Sequence, residues 1–236
     1  MEPLPKYSFI VPLYNRPDEI DELLDSLTRV TYKDFEVVVV EDGSSEDKRA
    51  DHIIEQYRDR LSIQYFYKPN SGPGFTRNYG MERALGEWYV ILDSDIIMPP
   101  DYFEHVERFL KQHPEVDCYG GPDAAHESFD DLNKAISYSM TSFLTTGGIR
   151  GRKKQAAGQY HPRSFNMGLK IEVFKATGGF AFTRQGEDID FSIRILDKGF
   201  KIALIPDAVV FHKRRATLKK FYKQVYNFGQ ARWGLH

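Results

Sequence analysis

Two carboxylates one residue apart, Asp93 and Asp95, end the apolar run Trp88-Tyr89-Val90-Ile91-Leu92. The run reads as a buried strand. On an extended strand alternate side chains share a side, which would bring Asp93 and Asp95 together and turn Ser94 away. Two carboxylates in one site repel, so the pair takes up a proton or a cation, and oxygen ligands beside a substrate phosphate suit magnesium or manganese. An acidic turn closing a strand is the plainer reading, and the spacing alone does not separate the two. Three other groups could share such chemistry. Gly186-Glu187-Asp188-Ile189-Asp190 starts a stretch of helical spacing, where carboxylates either cap the helix or act in catalysis. His212 follows the apolar Ala208–Phe211 and is either a satisfied buried histidine or a neutral metal ligand. Asn70-Ser71-Gly72-Pro73-Gly74 leads into a helix whose first amides, with Arg77, could hold a phosphate, although such turns commonly hold nothing.

The elements that must position these groups alternate in type. Tyr7–Leu13 is β-rich, and Asn15-Arg16-Pro17-Asp18 ends it and opens a helix with Ile20, Leu23, Leu24 and Leu27 at helical spacing. A buried strand, Phe35–Val40, ends in Glu41-Asp42-Gly43-Ser44-Ser45; a polar helix is expected over about 46–60 and a strand over 63–67. This β-α-β-α-β order implies a parallel sheet, in which ligands bind beyond the carboxyl ends of the strands, where Asp42 and Asp93 fall. Farther on, Asp101 is expected to cap a helix carrying Phe103, Val106, Phe109 and Leu110, and Cys118–Pro122 to form a strand. A helix over 131–145 would bury Leu132, Ala135, Ile136, Met140 and Phe143, and 147–162 reads as a loop, either a lid or simply solvated. A strand over 164–170, a helix over 171–177 closed by Gly178-Gly179, a helix with Ile189, Ile193 and Leu196 on one face, and strands over 201–205 and 208–211 complete the chain's core.

The 236 residues, 41% hydrophobic and 14% aromatic, suffice for one domain with a substantial core. A net charge of −2 argues against a nucleic-acid binder. The charge is uneven, however: all seven charged residues beyond Asp207 are basic, which leaves the rest of the chain at −9. The lone Cys118 excludes an intrachain disulfide and a cysteine-built zinc site. No signal-peptide pattern opens the chain and no apolar run is long enough to span a bilayer, so a cytoplasmic setting is expected. Leu218, Phe221, Tyr222, Val225 and Phe228 recur opposite Lys219, Lys220 and Lys223, a basic amphipathic helix that either packs on its own domain or lies on an anionic membrane surface through 213–233. Neither a Walker sequence nor a Gly-x-Gly-x-x-Gly occurs.

Four segments stand in a particular order: Phe9-Ile10-Val11-Pro12-Leu13-Tyr14-Asn15-Arg16, Glu41-Asp42-Gly43-Ser44, Asp93-Ser94-Asp95 and Gly186-Glu187-Asp188. Together they resemble the family 2 glycosyltransferases of GT-A fold, from Tyr7 to about Trp233. The resemblance implies an α/β, Rossmann-like nucleotide-binding domain with a mainly parallel central sheet flanked by helices. It would occupy 1–211, with a nucleotide half over about 1–100 and an acceptor half over about 101–211, leaving 212–236 as the basic helix. Many relatives continue past that point, so the chain is expected to be truncated there.

By the same resemblance, Pro12, Tyr14, Asn15, Arg16 and Asp42 would hold the nucleobase, normally uracil, and Gly72, Arg77, Asn78 and Ser94 would belong to the donor site. Asp93 would meet the ribose or the metal, Asp95 would ligate Mg2+ or Mn2+ at the diphosphate, and His212 would add a ligand. Asp188 matches the catalytic base, with Glu187, Arg150 and Arg152 as acceptor-side candidates. The implied reaction is inverting transfer of a hexosyl or N-acetylhexosaminyl group from a UDP-sugar to a hydroxyl of a saccharide or lipid-linked saccharide, in polysaccharide, glycan or glycolipid synthesis. Two other readings compete. A nucleotidyltransferase would carry a basic glycine-rich loop near its N-terminus, which Pro12–Asp18 is not; a non-catalytic nucleotide-sugar-binding protein could dispense with Asp95 and Asp188, yet both are present.

Overall fold

Strand β1 (Tyr7–Leu13) is apolar on both faces, as a strand covered on both sides requires. The computed structural model describes residues 3–141, 160–182, 186–213, 217–219, 221–223 and 225–226. After β1 come α1 (Pro17–Thr28), β2 (Phe35–Asp42), a 3-10 turn (Glu46–Lys48), α2 (Asp51–Glu55), β3 (Ile63–Lys68), α3 (Pro73–Met81) and β4 (Trp88–Leu92). Then follow β5 (Ile96–Ile97), α4 (Tyr102–Gln112), β6 (Cys118–Gly120), β7 (Asp123–Ala124), α5 (Asp131–Thr141), β8 (Asn166–Lys170), α6 (Ile171–Thr177), α7 (Glu187–Asp197), β9 (Ile202–Leu204) and β10 (Val210–His212).

Seven strands form one sheet in the order β3-β2-β1-β4-β8-β6-β9. The pairs β3-β2, β2-β1, β1-β4 and β6-β9 are parallel, whereas β8 runs antiparallel to both β4 and β6. The sheet is therefore mainly parallel, as expected, with one reversed strand. One face buries Phe9, Val11, Leu24 and Leu27 with Phe103 and Val106 of α4, and the other buries Ile10, Val38, Tyr89 and Met167 with Phe191 and Ile195 of α7. The mixed sheet and its helical covers form an α/β domain with a mainly parallel central sheet, as expected. A second, three-stranded sheet of order β5-β10-β7 stands apart from the first.

Several local expectations are corrected. Strand β4 stops at Leu92, and residues 93–95 form a turn, not a continuation of the strand. The helix expected over 46–60 is broken, because Arg49 is extended (ψ 145°) and the Ala50 amide donates to Glu41 Oε2 at 3.1 Å. Asp101 makes no side-chain cap; its carboxylate meets His105 Nε2 at 3.2 Å. On α7 the buried face is Phe191, Ser192 and Ile195 and not Ile189, Ile193 and Leu196, since the ring of Phe191 docks on Phe180 at 4.6 Å and decides the helix's rotation. Ile193 is accordingly exposed. On α5, Ile136 and Met140 are buried but Ala135 is exposed. Residues 218–219, 221–223 and 225–226 are helical, and Leu218, Tyr222 and Val225 lie exposed, so they do not pack on the domain. Phe143, Phe228, Lys220 and most of the 147–162 loop lie outside the described residues.

The reversal of β8 brings its leading end to the edge where β4 stops, because register pairs Leu92 with Asn166. Asn166 is fully buried, accepts a hydrogen bond from Tyr102 Oη at 2.7 Å and donates to the Ala208 carbonyl at 2.8 Å. One side chain thus ties α4 to the segment that leads into β10. Replacement Asn166→Ala leaves both partners buried and unpaired, at a cost of about 1–3 kcal/mol for each. Urea denaturation should show the loss; a midpoint equal to that of the parent protein would deny the tie any weight.

Candidate active site

The turn after β4 and the small sheet bring three potential ligands together. Oxygen atoms of Asp93 and Asp95 and a ring nitrogen of His212 lie within 4.8 Å of one another. Strand pairing is the reason: β5, which begins directly after Asp95, is antiparallel to β10 with His212 opposite Ile96, and the Lys213 amide donates to the Asp95 carbonyl at 2.9 Å. Both acidic residues therefore do share one site, though a turn places them there rather than strand alternation. His212 Nε2 stands 3.3 Å from Asp95 Oδ1, and Arg16 Nη1 stands 3.1 Å from Asp95 Oδ2 and 2.9 Å from Glu19 Oε2.

Burial alone would raise the Asp95 carboxyl, but His212 and Arg16 outweigh it and hold the group down at about 2. Burial alone would lower His212, but Asp95, helped by Asp123, carries it up to about 9. Asp95 Oδ1 is nonetheless buried without a hydrogen-bond partner among the described residues. A desolvated oxygen with a free lone pair, beside a second carboxylate and an imidazole, fits a divalent cation. An O, O, N donor set suits manganese at least as well as magnesium.

The residues of the first strand ends serve one another. Asp42 is buried at the end of β2 and accepts hydrogen bonds from the amides of Ser71 and Gly72, each at 2.9 Å, and from Lys68 Nζ. Gly72 itself has φ +86°, a conformation that favours glycine, and Pro73 follows as the first residue of α3. Asn15 adopts φ +54° and its Oδ1 accepts from the Ser45 amide at 2.9 Å, while its own amide donates to Ser44 Oγ. Pro12 lies within β1, and Tyr14 is exposed beside this clamp. Ser94 is buried, its hydroxyl donating to Glu19 Oε2 at 3.5 Å.

Arg77 is the most consequential departure from expectation. Its side chain is buried, and in place of a free phosphate-binding group it donates to Asp93 Oδ1 at 2.8 Å and to Glu187 Oε1 at 3.3 Å, over the ring of Phe180. Asn78 exchanges two 2.8 Å hydrogen bonds with the Phe180 backbone, so it braces the wall behind Arg77.

Across Arg77 lies the start of α7. Gly186 turns the chain at φ +91°, and burial raises the Glu187 carboxyl, with Arg77 opposing and Asp188 adding to the rise. Asp188 Oδ1 accepts from the Ile189 amide at 2.9 Å, and Arg163 Nη1 meets Asp188 Oδ2 at 3.2 Å. His161 Nδ1 contacts Ser192 Oγ at 2.6 Å; that hydroxyl already donates to the Ile189 carbonyl, so Nδ1 carries the proton. Burial, and then Arg163, keep His161 below its ordinary value. Arg163, His161 and Asp123 carry no local signal in the sequence, because only the reversed β8 and the β7–β10 pairing bring them here. Arg150 and Arg152 lie outside the described residues.

The glycosyl transferase family 2 profile matches residues 8–182. The chain belongs to that family. An uncharacterised glycosyltransferase of Rickettsia felis is 34% identical over 136 residues, 57% of this chain but 22% of its own length. Poly(ribitol-phosphate) beta-N-acetylglucosaminyltransferase TarS of Staphylococcus aureus is 37% identical over 112 residues, 46% of this chain and 19% of that protein. The crystal structure of TarS residues 1–349 with UDP-GlcNAc superposes with a TM-score of 0.68 at 24% identity, over 90% of this chain and 59% of that one. Mannosyltransferase PcManGT of Pyrobaculum calidifontis, solved with GDP-Man and Mn2+, also gives 0.68, at 19% identity over 98% of this chain and 65% of its own. This family 2 chain thus spans about a fifth of the length of the two curated relatives.

The Asp95–His212 pair has a measurable signature without any cation. A histidine raised from 6.5 to about 9 stabilises the fold fully below 6.5 and ceases to as pH rises through 9; a carboxyl lowered from 3.8 to about 2 stabilises above 3.8 and ceases to as pH falls through 2. In chelator-treated protein the urea midpoint should therefore fall between about pH 6.5 and 9, and His212→Gln should flatten that fall. An unchanged slope in the variant would mean that His212 does not carry it.

Proposed function

We propose that the protein is an inverting glycosyltransferase that moves a sugar from a nucleoside-diphosphate sugar, of the UDP class, to an acceptor hydroxyl. The single observation that carries the proposal is the facing of two acidic groups across one buried arginine, Asp93 and Asp95 with His212 on one side and Glu187 with Asp188 on the other. Inverting transfer needs a proton acceptor on the side opposite the leaving group, and two separated carboxylate clusters supply the two sides. In this reading residues 1–100 form the nucleotide half and 101–211 the acceptor half.

Each residue then has a role. Asp188 accepts the proton of the attacking hydroxyl, its carboxylate aimed by the Ile189 amide and Arg163. Asp93, Asp95 and His212 would hold Mg2+ or Mn2+, which would supply positive charge to offset the negative charge gathering on the departing diphosphate. Arg77 keeps Asp93 and Glu187 in fixed relation, so the donor and acceptor sides keep their spacing. Asp42 holds the 70–72 loop against β2 and, with Pro12, Tyr14, Asn15 and Arg16, lines the place for the base; Gly72, Asn78 and Ser94 shape its walls. No covalent enzyme intermediate is required. The uracil assignment draws on the sequence similarity to TarS, solved with UDP-GlcNAc, because the same fold in PcManGT is solved with GDP-Man. The acceptor we place among saccharides or lipid-linked saccharides, with Glu187 and, beyond the described residues, Arg150 and Arg152 on its side.

Calorimetric titration with UDP and GDP, in Mn2+ and in chelator, tests the donor side. UDP should bind more tightly than GDP, chelator should weaken it, and Asp95→Ala should remove the chelator effect; equal affinities in chelator and Mn2+ would sink the cation's role. For the base, hydrolysis of UDP-GlcNAc and related donors measures turnover without an identified acceptor. Asp188→Asn should retain donor affinity and lose roughly 10²- to 10⁴-fold in rate. Near-parental turnover, with Glu187→Gln or Asp190→Asn inactive instead, would reassign the base.

We further propose that the basic terminal segment rests on anionic membrane surfaces from the cytoplasmic side, supported by its exposed Leu218, Tyr222 and Val225 and its basic composition. Among the described residues no helix is long and apolar enough to cross a membrane. Flotation with anionic vesicles should be lost at high salt and in a variant with Lys219, Lys220 and Lys223 replaced by Glu. Unchanged flotation of that variant would rule this surface out.

A further inference from the structure

Asp123 is a carboxylate only 5% exposed, on the two-residue strand β7. Acidic residues are seldom so buried without a partner that needs them. Its position is imposed by backbone. The Ile205 amide donates to the Gly120 carbonyl at 2.9 Å and the Val210 amide to the Pro122 carbonyl at 3.1 Å, and β7 pairs in parallel with β10, Val210 opposite Asp123. Gly121 lies so close to Ala208 that an added Cβ would stand 1.8 Å from its carbonyl oxygen. The strand carrying Asp123 is thus pressed onto the strand carrying His212.

The histidine ring between them is equally constrained. One face packs on Phe165, with ring centres 4.7 Å apart, and Nε2 points at Asp95 Oδ1. Its other nitrogen, Nδ1, is buried without a hydrogen-bond partner among the described residues and faces Asp123 Oδ2 at 3.7 Å. A few tenths of an ångström separate that contact from a hydrogen bond.

We propose that Asp123 is a positioning residue for the cation site: its carboxylate holds His212 through Nδ1–H, which leaves the Nε2 lone pair directed at the cation between Asp93 and Asp95. Histidine ligands generally require such an outer partner, because it fixes both the tautomer and the ring orientation. The proposal rests on the cation site put forward under the proposed function. It adds that the small β5-β10-β7 sheet exists to assemble ligand and orienter: β5 follows Asp95, β10 carries His212 and β7 carries Asp123.

Mn2+ binding in the presence of UDP, followed by the electron paramagnetic resonance signal of free Mn2+, reads this without turnover. Asp123→Ala should weaken binding by about 10- to 100-fold, the usual effect of removing an outer-shell partner. Asp123→Asn, nearly the same shape, should weaken it less, since its amide oxygen can still accept from Nδ1–H; it also serves if the alanine variant does not fold. In a His212→Ala background either replacement should add nothing, because Asp123 acts through the ring. Mn2+ affinity within twofold of the parent in Asp123→Ala, or in Asp123→Asn alone if that is the only folded variant, would overturn the proposal, as would a full effect persisting without His212. Asp95→Ala is the control. If Mn2+ affinity is unchanged there, the cation site itself is wrong; if it is lost there but kept in the Asp123 variants, only the orienting role fails.

Discussion

Carboxylates crowd one edge of this protein, and almost everything nearby is arranged to keep them apart or compensated. Asp42, Asp93, Asp95, Asp123, Glu187 and Asp188 all face the region beyond the carboxyl ends of the parallel strands, and two of them, Asp42 and Asp123, are buried. Unpaired, such charges would protonate or push the loops outward. Each instead faces a basic side chain from another part of the chain: Lys68 from β3 for Asp42, Arg16 and His212 for Asp95, His212 again for Asp123, Arg77 from α3 for both Asp93 and Glu187, and Arg163 from the approach to β8 for Asp188. Breaking one buried pair leaves an uncompensated charge, which costs far more than the pair contributes. The edge is therefore specified more sharply than its net stabilisation suggests.

The same arrangement explains why several motif residues turn out to hold the scaffold. A binding site made of loops needs those loops fixed before a ligand arrives, since an ordering cost met in the fold is not met again on binding. Asn15 clamps the end of β1 to the loop after β2, Asp42 clamps that strand's end to the glycine loop, and Asn78 clamps α3 to the segment before α7. Three short polar side chains thereby join four separate loops. A motif can be preserved for such bracing as readily as for contact with a substrate, and the geometry at Asn78, both ends of whose amide are used, is of the bracing kind.

Much of the first hundred residues' fold is legible in the chain itself. Continuous apolar runs such as Val37–Val40 have few alternatives to a strand buried on both faces, and Ile20, Leu23, Leu24 and Leu27 are all core. The meeting of Asp93, Asp95 and His212 is also anticipated, through the resemblance, although strand alternation is not what unites the two carboxylates, since the chain turns there. Period-two reasoning cannot see where a strand stops when the stop is set by pairing elsewhere, here by β10 capturing β5. Spacing mistakes the buried face of α7 because it weighs Ile193 and Phe191 alike, while packing favours the ring that fills a hole. Partners 110 residues apart, such as Arg77 and Glu187, leave no local mark at all.

One reversed strand in a parallel sheet shows how topology brings the two halves to a single edge. Parallel strands all offer their trailing loops at one end, so β1, β2 and β4 can supply the loop after Leu13, Asp42 and the turn 93–95, but no leading segment. An antiparallel neighbour offers its leading segment at that same end. Because Asn166 lies opposite Leu92, residues 160–165 arrive beside the turn that carries Asp93 and Asp95. That approach sets Arg163 on Asp188, His161 on Ser192 and Asn166 on the segment before β10. Had β8 been parallel, 160–165 would have led in from the opposite edge, and Asp188 would face the turn without its arginine. The reversal is thus what lets a carboxylate on α7 and the carboxylates after β4 address one space while drawing on elements as much as 110 residues apart in the chain.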